Sequence, residues 1–129
     1  LKKLLVSCLL LAGLGSAVWA DKLYVRNRPY EGYVIGTLDN LSALEVDARD
    51  MSRALGYDLD EVDGNWIIRP HDSKTAPNLS SGARKLYAGG KELPYRVDGE
   101  RKLVILSDLA SALGARVMRH PELGTIDFD

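Results

Sequence analysis

Asp50-Met51-Ser52-Arg53-Ala54-Leu55-Gly56 returns further along the chain as Asp108-Leu109-Ala110-Ser111-Ala112-Leu113-Gly114. Each stretch reads as the body and end of a short helix. In the first, Ala48, Met51 and Leu55 recur at i, i+3 and i+7. In the second, Leu106, Leu109, Ala110 and Leu113 recur at i, i+3, i+4 and i+7, a cleaner apolar stripe. Asp47 is the expected N-cap of the first helix, because its carboxylate can accept from the free amides of the first turn. Gly56 and Gly114 suit the left-handed conformation that follows a helix end. The flanks match as well: Val46 and Val104 precede the helices, and Leu59 and Val117 follow them at equal offsets. A phrase repeated together with its flanks indicates two copies of one building block.

Working outward, unit one covers Leu23 to Arg69. Leu23-Tyr24-Val25-Arg26 reads as a strand, Asn27-Arg28-Pro29 as a turn, and Tyr33 to Leu38 as a second strand run with Gly36 as a bulge. Asp39-Asn40 is a turn signal, and Leu44-Glu45-Val46 leads into the helix over Ala48 to Leu55. Tyr57 to Val62 is strand-like, Asp63-Gly64 is a hairpin turn, and Trp66-Ile67-Ile68 returns. Pro70 to Gly82 is polar and turn-rich, the expected linker. Unit two covers Arg84 to Phe128. Its strands are Leu86-Tyr87-Ala88, Glu92 to Val97 (weakened by Pro94), Leu103-Val104-Ile105, a strand carrying Ala115, Val117 and Arg119 on one face, and Thr125 to Phe128. Gly89-Gly90, Asp98-Gly99 and His120-Pro121-Glu122 are the turns. The expected fold class is α+β: two related units, each a small antiparallel β-sheet packed on one short α-helix.

Leu1-Lys2-Lys3, the apolar run from Leu4 to Leu14, and the small-residue stretch ending Val18-Trp19-Ala20 have the layout of a cleaved signal peptide over residues 1–20. The run is shorter than the ~20 apolar residues that span a bilayer. Leu5-Val6-Ser7-Cys8 offers a second route, lipidation at Cys8. Residues 21–129 would then form one domain, exported to the periplasm, cell surface or medium, with no stable membrane insertion. Cys8 is the only cysteine, so that domain has no disulfide available. Losing Lys2 and Lys3 takes the formal net charge from −1 to −3, a balance that argues against nucleic-acid binding.

The order of strands, the turns at Asn27-Arg28-Pro29 and Gly90-Lys91, the valine-led entries to helices and the Ala-Leu-Gly endings together resemble the copper amine oxidase-like N-terminal domain, or stalk domain, of secreted bacterial proteins. The resemblance extends over nearly all of residues 21–129 as two degenerate copies. It implies a small antiparallel sheet wrapped around a helix, in a module that accompanies cell-wall or surface proteins. It implies neither copper nor oxidase chemistry, since the stalk is separate from the copper-bearing domain in that enzyme class. The helix entries depart from the usual pattern: Asp47-Ala48-Arg49 keeps an arginine, while Ile105-Leu106-Ser107 keeps neither proline nor arginine.

The residues themselves point the same way. His71 and His120 have no partner at metal-ligand spacing. Asp58 to Asn65 glances at a calcium loop, but Val62 stands at the fifth position and Gly64 at the seventh, so an acidic strand and hairpin turn is the simpler reading. No Gly-x-Ser-x-Gly elbow is present, and Gly89-Gly90 lacks the lysine of a phosphate loop. The chain therefore reads as non-catalytic, with no cofactor or metal: a stalk-like interaction or structural module whose partner is an envelope protein. The alternative is a carbohydrate or peptidoglycan-binding module that stacks a cell-wall glycan on tyrosines. Tyr30, Tyr33 and Tyr95, beside turns or a strand proline, are the expected exposed contacts.

Overall fold

The computed structural model describes residues 23–37, 40–72 and 84–129. The signal-peptide reading of residues 1–20, Leu38 at the end of the second strand run, Asp39 of the turn signal and most of the linker lie outside the described residues.

The chain order is β1 (Leu23–Val25), β2 (Arg28–Pro29), β3 (Val34–Ile35), a 3-10 turn (Leu41–Ala43), β4 (Glu45–Asp47), α1 (Ala48–Leu55), β5 (Asp58–Val62) and β6 (Asn65–Arg69). It continues with β7 (Leu86–Ala88), β8 (Lys91–Leu93), β9 (Arg96–Asp98), β10 (Arg101–Ile105), α2 (Leu106–Leu113), β11 (Val117–His120) and β12 (Thr125–Phe128). The class is α+β, as expected. The helices form where their stripes predict. Asp47 accepts from the Asp50 amide at 3.0 Å to cap α1, and Gly56 and Gly114 end the helices at φ 70 and φ 71. The start of α2 has no side-chain cap; instead the Leu106 amide donates to the Leu44 carbonyl at 2.8 Å.

Strand pairing departs from the expectation of one antiparallel sheet per half. Among the described residues the strands make three four-stranded sheets, ordered β11-β12-β1-β2, β3-β4-β10-β9 and β5-β6-β7-β8. Every sheet draws strands from both halves of the sequence. Two of them contain a parallel pair: β1 beside β12, with Leu23 opposite Ile126, and β6 beside β7, with Trp66 opposite Leu86. The physical reason is edge satisfaction. A three-residue strand such as β1 or β7, paired only with its own short hairpin partner, would leave a row of backbone groups open. The hairpin from the other half covers that row. Asn65, fully buried, strengthens one such junction by accepting from the Lys85 amide at 3.0 Å, and the Trp66 amide donates to the Lys85 carbonyl at 2.8 Å.

The middle sheet joins the halves antiparallel. Val46 lies opposite Val104, Asp47 opposite Leu103 and Glu45 opposite Ile105. Val34, Val46 and Val104 share its inner face and enter one contiguous core with Met51, Leu55, Leu106 and Leu109. Each of these side chains contributes roughly 1.5–3 kcal/mol by leaving water. On the outer face, Arg96 of β9 reaches Glu45 of β4 at 2.9 and 3.2 Å. That pair must cross β10, and it lies over Leu103, which is fully buried. Two smaller corrections follow from local geometry. The first turn sits at Arg26-Asn27, both at positive φ, so Arg28-Pro29 is already a strand. Pro94 interrupts the run from Glu92 to Val97, leaving β8 and β9 as separate strands.

Candidate functional site

The three tyrosines are placed very differently. Tyr30 belongs to the core, with 2% of its surface exposed, and this corrects its expected place among surface contacts. Its amide donates to the Leu23 carbonyl at 2.8 Å, which turns the chain inward immediately after Pro29. Its hydroxyl donates to the Tyr33 carbonyl at 2.9 Å. Burial pushes the phenol well above the ordinary tyrosine range, and the carboxylates of Asp50 and Asp47 add to the shift.

Tyr33 is half-buried. Its amide donates to Asp50 Oδ2 at 2.8 Å, its hydroxyl lies 3.4 Å from Asp98 Oδ2, and the Arg101 guanidinium stands 4.1 Å from the ring centre. Tyr95 is half-buried too. Its hydroxyl donates to the Arg84 carbonyl, and Lys102 Nζ stands 5.6 Å from its ring. Arg101 and Lys102 are successive residues of β10 and project to opposite faces. The structure therefore does not bring Tyr33 and Tyr95 into one row. Each already carries a cation against its ring.

The strongest aromatic cluster is one the sequence reading did not single out. Lys102 Nζ stands 4.0 Å from the Trp66 ring and Arg49 stands 4.8 Å from it, while Arg49 also pairs with Glu61 at 2.7 Å. Trp66 is itself buried, so the cluster fastens α1, β6 and β10 together.

Both described histidines and several of the acidic residues are paired with neighbours. Asp58 meets His71 at 3.1 Å, Asp60 meets Arg69 at 2.9 Å, and Asp127 meets His120 at 2.8 Å. Asp58 to Val62 is regular strand paired with β6: Asp58 and Asp60 share one face, where His71 and Arg69 engage them, and Glu61 points to the other, so the carboxylates do not converge as a calcium loop requires. Among the described residues no group of three histidine, cysteine or acidic side chains is arranged to hold a metal ion.

Concave surface is found on both sides of the sequence repeat. Beside α1, a groove of about 510 Å³ runs between Arg28, Pro29 and Glu31 on one wall and Asp50, Arg53 and Ala54 on the other. It adjoins a second hollow of about 370 Å³ that shares Val25, Arg28, Arg53 and Ala54 and adds Arg26. Beside α2, a groove of about 380 Å³ is lined by Gly89, Gly90, Lys91 and Ser111 among others. The arginines of these two hollows beside α1 went unnoticed in the sequence. Their only signal was Arg26-Asn27-Arg28 at a turn, with Arg53 distant along the chain.

Comparison of the chain with protein-family models, with curated proteins and with solved structures finds no match.

Proposed function

We propose that the chain is an exported, non-catalytic interaction module of the cell envelope, built from two related units as the resemblance to the stalk domain implies. The observation that carries the binding reading is how its reactive side chains are used. Asp47 caps a helix, Asp50 holds the Tyr33 amide, and Asp58 and Asp127 each engage a histidine. These groups stabilise a scaffold, which then presents its charged outer surface to a partner. The reading of two related units is supported by the register about Val46 and Val104, where each half meets the other residue for residue. It is supported again by the two parallel junctions, β1 with β12 and β6 with β7. The layout of residues 1–20 supports export.

The glycan-stacking alternative draws less support, because Tyr30 is buried and the rings of Tyr33 and Tyr95 lie by cations on opposite faces of β10. One experiment addresses both. The chain is expressed in full, its N-terminus is read by mass spectrometry from the exported fraction, and the recovered protein is offered purified cell wall and envelope extract as separate baits. Recovery with Asp21 at the N-terminus and retention of a defined envelope protein are expected. Retention on cell wall that is lost on Tyr33→Ala with Tyr95→Ala would instead favour the glycan reading. Confinement to the cytoplasm with the N-terminus intact would overturn export.

A further inference from the structure

We propose that the hollow between the β1–β2 turn and the C-terminal half of α1 is a binding site for an oxyanion, a phosphate or carboxylate group. Three guanidinium-bearing residues, Arg26, Arg28 and Arg53, line it together, and its other lining residues, Val25, Ala54, Leu55 and Gly56, carry no charge. All three arginines are exposed. Against the two carboxylates of the adjoining groove, Glu31 and Asp50, three like charges leave the hollow net positive, and an anion relieves the remaining repulsion. Planar guanidinium forks suit the paired oxygens of phosphate and carboxylate.

The three arginines are held in different ways. Arg26 Nη1 donates to the Leu55 carbonyl at 3.0 Å and its guanidinium lies 5.4 Å from the Tyr57 ring, so its position is fixed. Arg53 stands 3.6 Å from Asp50 Oδ1, a long contact, with 74% of its side chain exposed. The Arg28 side chain has no hydrogen-bond or ion-pair partner among the described residues, and it projects from the edge strand β2. Arg28 and Arg53 are therefore the two forks available to a ligand, beside a third charge already in place. The groove beside α2 provides the internal contrast. Gly89, Lys91 and Ser111 occupy the corresponding places after β7, on β8 and on α2, so only one of the three positions carries a cation there; Arg69, the other cation lining that groove, pairs with Asp60 at 2.9 Å. The inference does not depend on the envelope reading, because it concerns a ligand chemistry measurable with purified components.

The test is a titration of the 15N-labelled protein, in separate arms, with inorganic phosphate and with a hexaglutamate peptide, following backbone amides and arginine Nε–H signals. Saturable shifts confined to Val25, Arg28, Arg53 and Ala54 are expected in at least one arm. Response to phosphate alone identifies a small oxyanion as the ligand, and response to the peptide alone identifies an acidic segment of a partner. Arg28→Gln and Arg53→Gln should each weaken binding about tenfold or more, with unchanged melting because both side chains are exposed. Lys91→Gln should leave binding as it was. Shifts that fail to saturate in both arms, that spread over the other surface arginines, or that persist in the Arg28→Gln, Arg53→Gln double variant would overturn the proposal.

Discussion

Gly89→Ala tests how tightly the β7–β8 turn is fitted against α2. Gly89 has φ +57, and a Cβ built there would lie 2.4 Å from the Ala112 carbonyl oxygen and 3.3 Å from its carbon. Both contacts are with helix backbone, which cannot swing aside as a side-chain tip would. Gly114 supplies the control, at φ +71 with nothing within 4 Å of the added methyl. Both substitutions incur the left-handed penalty of about 1–2 kcal/mol. Both regain about 0.4–1 kcal/mol from a stiffer unfolded chain. Gly114→Ala should therefore cost about 1 kcal/mol. Gly89→Ala adds an overpacking cost of about 1–3 kcal/mol, so its total is roughly 2–4 kcal/mol. A domain of this size loses about 4–8 °C of melting temperature per kcal/mol. Scanning calorimetry on the two variants side by side should place Gly89→Ala below Gly114→Ala by roughly 5–20 °C. Equal melting temperatures would refute the close approach of the β7–β8 turn to α2.

Other outcomes follow from the same geometry. Tyr30→Phe removes the phenol that burial holds protonated. In the wild type that phenol ionises more readily in the unfolded chain, so stability is intact below about pH 10 and falls as pH rises beyond it. Urea midpoints between pH 9 and 11 should decline less steeply in Tyr30→Phe. Leu109 is fully buried on the stripe of α2, and Leu109→Ala should cost about 2–5 kcal/mol in urea unfolding without a change of slope. Asp47→Ala removes the one side-chain N-cap of the two described helices, and should cost about 1 kcal/mol by the same measurement.

The local part of this structure is legible in the sequence. Both helices run where their apolar spacing places them, and Asp63-Gly64 makes its hairpin with φ 51 and φ 83. Such signals depend on a residue and its near neighbours. What escapes is whatever depends on distant partners. The run Leu23-Tyr24-Val25 announces a strand but not that its parallel neighbour lies at Ile126 to Phe128, since alternation has the same form whichever strand covers the edge. Tyr30 follows Pro29 at a turn and so reads as exposed. Its burial comes from the Leu23 carbonyl that draws its amide inward and from Gly32, where a Cβ would stand 2.5 Å from the Tyr30 ring. The arginine-lined hollow is hidden for a similar reason. Arg26, Arg28 and Arg53 each look like an ordinary solvated charge until the fold sets β2 beside α1.

The parallel pairing of β1 with β12 has a mechanical consequence. Leu23 to Val25 and Ile126 to Phe128 run side by side in the same direction, so the first described strand is zipped to the last. Tension applied through the two ends pulls β1 backward and β12 forward along their shared ladder. The inter-strand hydrogen bonds are then loaded together in shear instead of being peeled apart singly. Held at one end and pulled at the other, the fold meets force in shear across that ladder.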